Sequence, residues 1–252
     1  MRKLIKIIEL LLEKFNKITG RYLIFSLLGK RKLLKFNFSD NVFQKRIFHE
    51  IFFDKIYFRK FSKGRNFEVH KKDTIIDIGA NIGFFSVYAA NLAKKGKVYS
   101  FEPIKSNFQK LFRHKEINRL RNLFLTNKGI SDKSKKIKIY LNNEDCGSHT
   151  AYIKSEKFET IQCISLKRVF DKYNIEKCNF LKIDCEGEEY KILRALPKSY
   201  FRKIDKIALE YHPVPNEDIW KLADYLNEQG FFIGIYHWRK NFGMLYAYKK
   251  FL

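Results

Sequence analysis

The chain has 252 residues, of which 45% are hydrophobic, so it can bury a core, and its composition excludes an intrinsically disordered protein. Its 51 lysines and arginines against 27 acidic residues give a formal charge of +24 at pH 7, which favours phosphate-rich partners but equally fits compositional drift in a source genome. The four cysteines form no C-x-x-C pair and have no partnering histidine spacing, so neither a zinc site nor a redox motif is predicted.

Residues 1–70 predict a basic, helical N-terminal extension. Apolar residues such as Leu4 and Ile8 recur at helical spacing, and a second amphipathic segment covers 41–58. We expect these helices to pack on the rest of the protein; the alternative is a basic helix that lies on an anionic membrane surface. Glu9 interrupts the first apolar stretch, and no later run approaches the ~20 residues of a membrane span. We expect a cytoplasmic protein. If the basic helix lies on a membrane, the protein would be held peripherally at the inner membrane surface.

From residue 73 the pattern changes to short β-rich runs that alternate with helical segments. This alternation predicts an α/β fold with a parallel sheet and helices on both faces, formed by residues 71–252 as one domain. The connection between the last two runs is too short for a helical crossover, so these runs must pair as antiparallel strands and add an antiparallel strand to the sheet. A further antiparallel pair is predicted at 136–141 and 160–165. The predicted strands are 74–78, 97–101, 123–127, 179–184, 206–211, 231–238 and 243–249, and the predicted helices are 82–94, 104–118, one ending near 196, and 216–229.

The segment DIGANIG, residues 77–83, places a carboxylate, two glycines and an amide directly after the first of these strands. Ligands of such sheets bind beyond the carboxyl ends of the strands, where Gly79 and Gly83 would let the backbone turn and approach a ligand. Glu102 ends the next strand and is placed to accept both hydroxyls of a ribose. Asn81 stands where a dinucleotide loop needs its middle glycine, and no G-K-[ST] follows, so the pattern favours S-adenosylmethionine over a nucleotide with phosphates.

Four segments, DTIIDIGANIGFFS, VYSFEP, NFLKIDCEGEEYKIL and IALEYH, occur in this order between about residues 70 and 212 and resemble the FkbM family of S-adenosylmethionine-dependent methyltransferases. The resemblance implies a Rossmann-like class I methyltransferase sheet of seven strands, the last antiparallel. It also implies which residues bind S-adenosylmethionine: Asp77, Gly79, Ala80, Asn81 and Gly83 at its methionine and ribose end, Glu102 at the ribose hydroxyls, and Gly129, Ile130 and Ser131 at the adenine edge.

Candidate groups for the transfer chemistry end the fourth and fifth strands of the predicted parallel sheet. Methyl transfer from a sulfonium is an in-line displacement, and a hydroxyl acceptor also needs a base for its proton. Asp184, Glu186 and His212 are the predicted catalytic residues, Glu210 is a further candidate, and the ordinary pKa of histidine suits His212 to base work near neutral pH. Each has an alternative: Asp184 as a helix cap or as the residue that binds the amino group of the cofactor, Glu186 as a brace of its loop and His212 as a turn residue. His149 is a candidate substrate contact.

The loop after the fourth parallel strand predicts the class of acceptor. IDCEG replaces the N/D-P-P-Y/F turn with which enzymes that methylate base nitrogens hold a flipped base, so oxygen acceptors are favoured. The resemblance implies a hydroxyl of a sugar or another small molecule. Two alternatives stay open: a nucleic-acid methyltransferase, suggested by the charge of +24, and a membrane-surface or complex-forming protein with a vestigial pocket. Asp184, Glu186 and His212 could ligate a cation, but their spacing matches no metal motif, so no metal site is predicted.

Overall fold

A seven-stranded sheet lies at the centre of the structure. The computed structural model describes residues 22–25, 33–36, 42–61, 66–141 and 156–249. The strands are β1 (Tyr22–Phe25), β2 (Leu33–Phe36), β3 (Thr74–Ile78), β4 (Lys97–Phe101), β5 (Leu123–Thr126), β6 (Gly129–Ser131), β7 (Lys135–Tyr140), β8 (Phe158–Ser165), β9 (Phe180–Ile183), β10 (Lys206–Tyr211), β11 (Phe231–Arg239) and β12 (Phe242–Lys249). The helices are α1 (Val42–Phe52), α2 (Phe84–Leu92), α3 (Lys105–Ile117), α4 (Leu166–Lys172), α5 (Glu189–Ala195), α6 (Lys198–Phe201) and α7 (Ile219–Glu228).

The large sheet has the strand order β11-β12-β10-β9-β3-β4-β5. Neighbouring strands from β10 to β5 are parallel, whereas β12 is antiparallel to both of its neighbours, β10 and β11. The predicted Rossmann-like sheet of seven strands with an antiparallel last strand is therefore confirmed. The strand order reverses beside β3, because the chain first runs outward to β4 and β5 and later returns to β9 on the other side. Ligands of open α/β sheets bind at such a point.

A smaller sheet of order β6-β8-β7 follows β5 in the chain. Strands β7 and β8 are antiparallel, which confirms the predicted pair. Strand β6 pairs in parallel with β8 and was not predicted, because its three residues are too few for a periodic signal. Gly129 and Ile130 therefore lie on a strand rather than in a turn.

Side chains that alternate along the central strands fill two hydrophobic cores, one on each face of the sheet. On β3, Ile76 belongs to the core that includes residues of α4, α5 and α7. Its neighbour Ile75 belongs to the opposite core, with residues of α2. Because both faces of the sheet are buried, the sequences of its central strands are continuous apolar runs.

The N-terminal part of the chain differs from its prediction. Residues 22–25 and 33–36 pair as the antiparallel strands β1 and β2, so the expectation that residues 1–70 are helical is wrong there. The predicted second amphipathic segment does form a helix, α1, which ends at Phe52. The predicted first helix lies mostly within residues 1–21, outside the described residues. Apolar runs of four residues fit helix and strand periodicity alike, so the sequence pattern could not separate them.

The residues of β2 and α1 pack against the sheet domain. Phe36 is fully buried, and its ring centroid lies 6.2 Å from that of Phe48 on α1 and 5.3 Å from that of Phe84 on α2. The backbone N–H of Lys35 donates to the side chain of Asn118 at 2.8 Å. Aromatic pairs at these distances stabilise a fold beyond the area that they bury. Among the described helices, none is both long and apolar enough to cross a membrane.

Replacing Phe36 by alanine tests this packing. Removal of a fully buried ring should lower the free energy of unfolding by about 3–5 kcal/mol in chemical denaturation of the whole chain. Phe112→Ala is the matched control, because that side chain is 49% exposed, and it should change the free energy by less than about 0.5 kcal/mol. Equal effects of the two substitutions would mean that β2 does not pack on the sheet domain.

Candidate active site

A cavity of about 760 Å³ opens at the carboxyl ends of β3, β4, β9 and β10. Its volume is in the usual range of small-molecule sites. Residues of the turn after β3, of the loop after β9 and of α1 contribute to its walls. The predicted cofactor-binding residues that line it are Gly79, Ala80, Asn81, Gly83, Glu102, Gly129, Ile130 and Asp184.

The turn between β3 and α2 is tightly packed against neighbouring chain. Gly79 (φ +75°), Asn81 (φ +50°) and Gly83 (φ +93°) all adopt left-handed backbone conformations, which glycine and asparagine tolerate best. A Cβ atom at Gly79 would lie 1.7 Å from the carbonyl oxygen of Asp184, and one at Gly83 would lie 2.3 Å from Cδ1 of Leu111. The fold itself therefore requires both glycines, in addition to the ligand approach that the sequence suggested.

Glu102 lies at the end of β4 and is 4% exposed. Its Oε2 accepts a hydrogen bond from the backbone N–H of Asn81 at 2.8 Å, and its Oε1 accepts one from the N–H of Ile104 at 2.9 Å. Burial raises the pKa of Glu102 to about 7, and these two donors offset only part of that effect. Each carboxylate oxygen can accept a second hydrogen bond, so the side chain fits the predicted contact with two ribose hydroxyls.

Asp77, like Ser131, does not line the cavity, whereas the other predicted cofactor-binding residues do. Its side chain is fully buried: Ser86 Oγ on α2 donates to Oδ2 at 2.5 Å, and Lys182 Nζ lies 3.2 Å from Oδ1. Successive side chains of a strand point to opposite faces, and this carboxylate points towards α2 and β9 instead of the cavity. The Asp77 carboxylate is thus paired within the protein, and its expected direct contact with a ligand stays a prediction.

A buried lysine joins the ends of β3 and β9. Lys182 Nζ donates to the carbonyl oxygen of Gly79 at 2.7 Å and lies 3.2 Å from Asp77 Oδ1 and 3.5 Å from Asp184 Oδ2. Burial alone would lower the pKa of Lys182, but the carboxylates of Asp77 and Asp184 raise it above its ordinary value. The side chain is therefore an ammonium ion that holds the turn after β3 against the loop after β9.

Acidic side chains converge at the other end of the cavity, beside the ends of β9 and β10. The hydroxyl group of Tyr57 lies 2.8 Å from Asp184 Oδ2 and 3.2 Å from Glu210 Oε2. Glu186, which has a left-handed backbone with φ +57°, extends this cluster towards His212. Burial, together with the nearby Asp184 carboxylate, raises the pKa of Glu210 well above its ordinary value. A carboxylate with a raised pKa is a stronger base towards a hydroxyl group.

His212 lies between this acidic cluster and Glu189. Its Nδ1 is 2.5 Å from Oε1 of the fully buried Glu189, and its Nε2 is 3.5 Å from Glu186 Oε2 and 3.7 Å from Glu210 Oε1. Burial alone would lower the pKa of His212, but the Glu189 carboxylate raises it well above its ordinary value. Glu189 thus occupies Nδ1, and Nε2 is the ring nitrogen that faces the acidic cluster; the role of His212 as the general base stays a prediction.

Sequence reasoning did not identify two prominent residues of the site, Lys182 and Tyr57. A lone lysine in the strand FLKI, residues 180–183, which is otherwise apolar, is a signal that could have identified Lys182. No comparable signal marks Tyr57, one of 14 tyrosines, because it precedes the recognisable motifs. His149, the candidate substrate contact, lies outside the described residues.

Replacing Gly79 by alanine should disrupt the turn after β3. The new Cβ atom would meet a backbone oxygen at 1.7 Å in a left-handed conformation, so the free energy of unfolding should fall by at least about 2 kcal/mol in chemical denaturation. Gly234→Ala is the matched control: its Cβ would make an ordinary contact with Phe61 at 3.5 Å and should not destabilise the strand. A Gly79 variant as stable as this control would contradict the close approach of the turn to β9.

Two curated proteins are similar to this chain over part of their length. Methyltransferase 1 of Beauveria bassiana is 24% identical over 157 residues, which covers 54% of this chain and 63% of that protein. Hexuronic acid methyltransferase AglP of Haloferax volcanii is 25% identical over 156 residues, which covers 62% of this chain and 63% of that protein. The chain thus spans slightly less than two thirds of the length of these relatives.

A solved structure shows a shared fold, and a family model shows the family. The crystal structure of methyltransferase FkbM from Methylobacillus flagellatus KT superposes with a TM-score of 0.53 at 18% identity, over 80% of this chain and 48% of that one, which shows a shared fold. The family model of the methyltransferase FkbM domain matches residues 77–233, more than half of the 252 residues. That match includes the turn after β3, Glu102 and the acidic cluster. This chain therefore belongs to the FkbM methyltransferase family.

Proposed function

We propose that this chain transfers the methyl group of S-adenosylmethionine to a hydroxyl group of a sugar or another small molecule. The proposal depends on one observation: a single cavity is lined by Glu102 and the turn after β3 at one end and by Asp184, Glu186 and Glu210 at the other. The first surface suits an adenosyl group, and the second suits a hydroxyl group that must lose a proton. Membership of the family supports the choice of methyl donor.

The residues at the first end fit S-adenosylmethionine in its chemistry. Glu102 would accept the ribose hydroxyls, and Gly129 and Ile130 would border the adenine. From the acidic end, Asp184 and the other carboxylates would offset the positive charges of the amino and sulfonium groups. When bound, the cofactor supplies an electrophilic methyl group. The turn from Gly79 to Gly83 contributes backbone at the cavity wall for the methionine tail.

The acidic end would position the acceptor and remove its proton. In-line transfer depends mainly on holding the two reacting groups in the correct geometry. Tyr57 fixes the carboxylates of Asp184 and Glu210, because its hydroxyl group lies within hydrogen-bonding distance of both. The proton that the acceptor hydroxyl group loses on methylation would pass to a carboxylate of this cluster. The raised pKa of Glu210 suits that step.

Arginine side chains at the cavity favour an acidic sugar as the acceptor. Arg46 of α1 and Arg239 of β11 both line the cavity, and the Arg46 side chain is 60% exposed although it pairs with Glu50 at 3.0 Å. A guanidinium group can bind a carboxylate through two parallel hydrogen bonds. The similarity to hexuronic acid methyltransferase AglP supports the same class of acceptor. We therefore propose a uronic acid, free or within a glycan, as the substrate.

Transfer of labelled methyl groups tests the reaction and the acceptor. The whole chain is incubated with methyl-labelled S-adenosylmethionine and either a uronic-acid glycan or the same glycan after reduction of its carboxyl groups. We expect faster labelling of the acidic glycan, in a product that resists alkali because it is a methyl ether. An alkali-labile product would be a methyl ester and would contradict the hydroxyl acceptor. Absence of label from every saccharide tested, while the cofactor still binds, would contradict the acceptor class.

Cofactor affinity should depend on Glu102 and on pH. Because its pKa is about 7, ionisation of Glu102 between pH 6 and pH 8 restores the carboxylate that accepts the ribose hydroxyls, and binding of S-adenosylmethionine should strengthen about tenfold in calorimetry. Glu102→Gln should bind at least about tenfold more weakly and should lose most of this pH dependence. A variant that retained the full pH dependence would assign it to another group.

Arg239 should contribute to binding of the acidic acceptor without taking part in the chemistry. Arg239→Gln should raise KM for the uronic-acid glycan about tenfold and leave kcat nearly unchanged. Lys240→Gln is the matched control, because Lys240 is an exposed neighbouring cation that does not line the cavity. If the two variants raise KM equally, or if KM for the reduced glycan rises as much, Arg239 does not recognise the carboxylate.

A further inference from the structure

We propose that Asp184, Glu210 and His212 bind a divalent metal cation that holds the acceptor oxygen. One potential ligand atom from each residue lies within 4.8 Å of those of the other two, a separation that a single ion can bridge. All three residues line the cavity. The inference rests on the proposed function for its catalytic role, but the cation site itself depends only on these side chains.

His212 has the arrangement of a metal-binding histidine. It is only 9% exposed, and its Nδ1 is hydrogen-bonded to the Glu189 carboxylate at 2.5 Å. This partner orients the ring so that Nε2 points into the acidic cluster, 3.5 Å from Glu186 Oε2 and 3.7 Å from Glu210 Oε1, which is longer than a good hydrogen bond. Histidines that bind metals usually donate their other ring N–H to a carboxylate in this way.

The balance of charge at this end of the cavity also favours a cation. Glu186, Glu189 and Glu210 each have a carboxylate oxygen within 3.7 Å of a His212 ring nitrogen, and a carboxylate oxygen of Asp184 lies within 4.8 Å of one. The ammonium group of Lys182 lies 3.5 Å from Asp184, but it is shared with the buried carboxylate on β3. Carboxylates with little access to water are costly unless a positive charge compensates them. A divalent ion among the three proposed ligands would supply that charge.

The proposed ligands suit Mg²⁺ or Mn²⁺, and the ion would assist the transfer. Carboxylate oxygens are the usual ligands of these ions, and an imidazole nitrogen also suits Mn²⁺. A bound divalent ion acts as a Lewis acid, so it would lower the pKa of a coordinated hydroxyl group. The acceptor oxygen then bonds to the methyl carbon while the sulfur–carbon bond breaks and sulfur keeps the electron pair. The hydroxyl proton would then pass to Glu186 beside the site, because Glu210 would be occupied as a ligand of the ion.

The spacing along the chain did not suggest this site, because its ligands come from the ends of two strands. Asp184 follows β9, whereas Glu210 lies on β10 and His212 follows it. Parallel pairing of β9 with β10 brings these ends together. The sequence prediction of no metal site depended on the spacing of residues within one segment. Such spacing does not reveal ligands that come from two adjacent strands.

Binding of Mn²⁺ to the metal-free whole chain, without S-adenosylmethionine, tests the inference. After treatment with a chelator and its removal, titration with Mn²⁺ is followed by calorimetry and electron paramagnetic resonance. We expect one site per chain, from which Mg²⁺ displaces Mn²⁺. Asp184→Asn and His212→Gln should each weaken Mn²⁺ binding at least about tenfold, and Glu189→Gln should weaken it about tenfold through the orientation of His212. Circular dichroism checks that each variant is folded.

Glu188→Gln is the matched control. Its carboxylate lines the same cavity but contacts Ser131 and Lys191, so its replacement should leave Mn²⁺ affinity unchanged. No bound Mn²⁺ at millimolar concentration, or a site that Asp184→Asn and His212→Gln leave intact, would overturn the inference. Binding of S-adenosylmethionine to the same metal-free protein separates this failure from a failure of the proposed function. Label transfer that is unaffected by chelator would overturn the catalytic role of the ion.

Discussion

The buried ammonium group of Lys182 fixes the geometry on which the candidate active site depends. It joins the carbonyl oxygen of Gly79 to the carboxylates of Asp77 and Asp184, and the hydrogen bond to Gly79 connects positions 103 residues apart in the chain. A buried charge is tolerated only while it is paired and hydrogen-bonded, and loss of one partner typically costs about 3–5 kcal/mol. The ends of β3 and β9 therefore cannot shift independently, and the floor of the cavity is formed before any ligand binds.

Carboxylates around this one cavity have different chemistry because their surroundings differ. The Asp77 carboxylate is buried beside the cavity and paired with an ammonium group and a hydroxyl group, so its contacts join β3 to β9 and α2. The Glu102 carboxylate accepts two backbone N–H groups and keeps capacity for a ligand. The Glu210 carboxylate lies among other acids, so its environment favours binding of a proton or a cation. Environments that separate the roles of similar side chains in this way are characteristic of catalytic sites.

The parts of the fold that could be predicted from the sequence are those that depend on local patterns. Apolar runs of strand length indicated the central strands, and the glycine spacing within residues 77–83 indicated the turn after β3. The pairing of Lys182 and the burial of Asp77 depend on which side chains of adjacent strands point towards each other, and no single segment encodes that. The contribution of Tyr57 depends on a segment that packs back over the sheet from before the recognisable motifs. The pair β1 and β2 was missed because its apolar runs are too short to define a period.

The position of β12 sets the order in which the sheet can be completed during translation. Strand β12 follows β11 in the chain, yet it lies between β11 and β10. Strand β11 therefore leaves the ribosome before the strand that must separate it from β10 exists. Until β12 emerges, the nascent chain presents the open edge of β10, and such edges can pair with strands of other chains. The close connection from Arg239 to Phe242 shortens that interval, because β12 is synthesised almost immediately after β11.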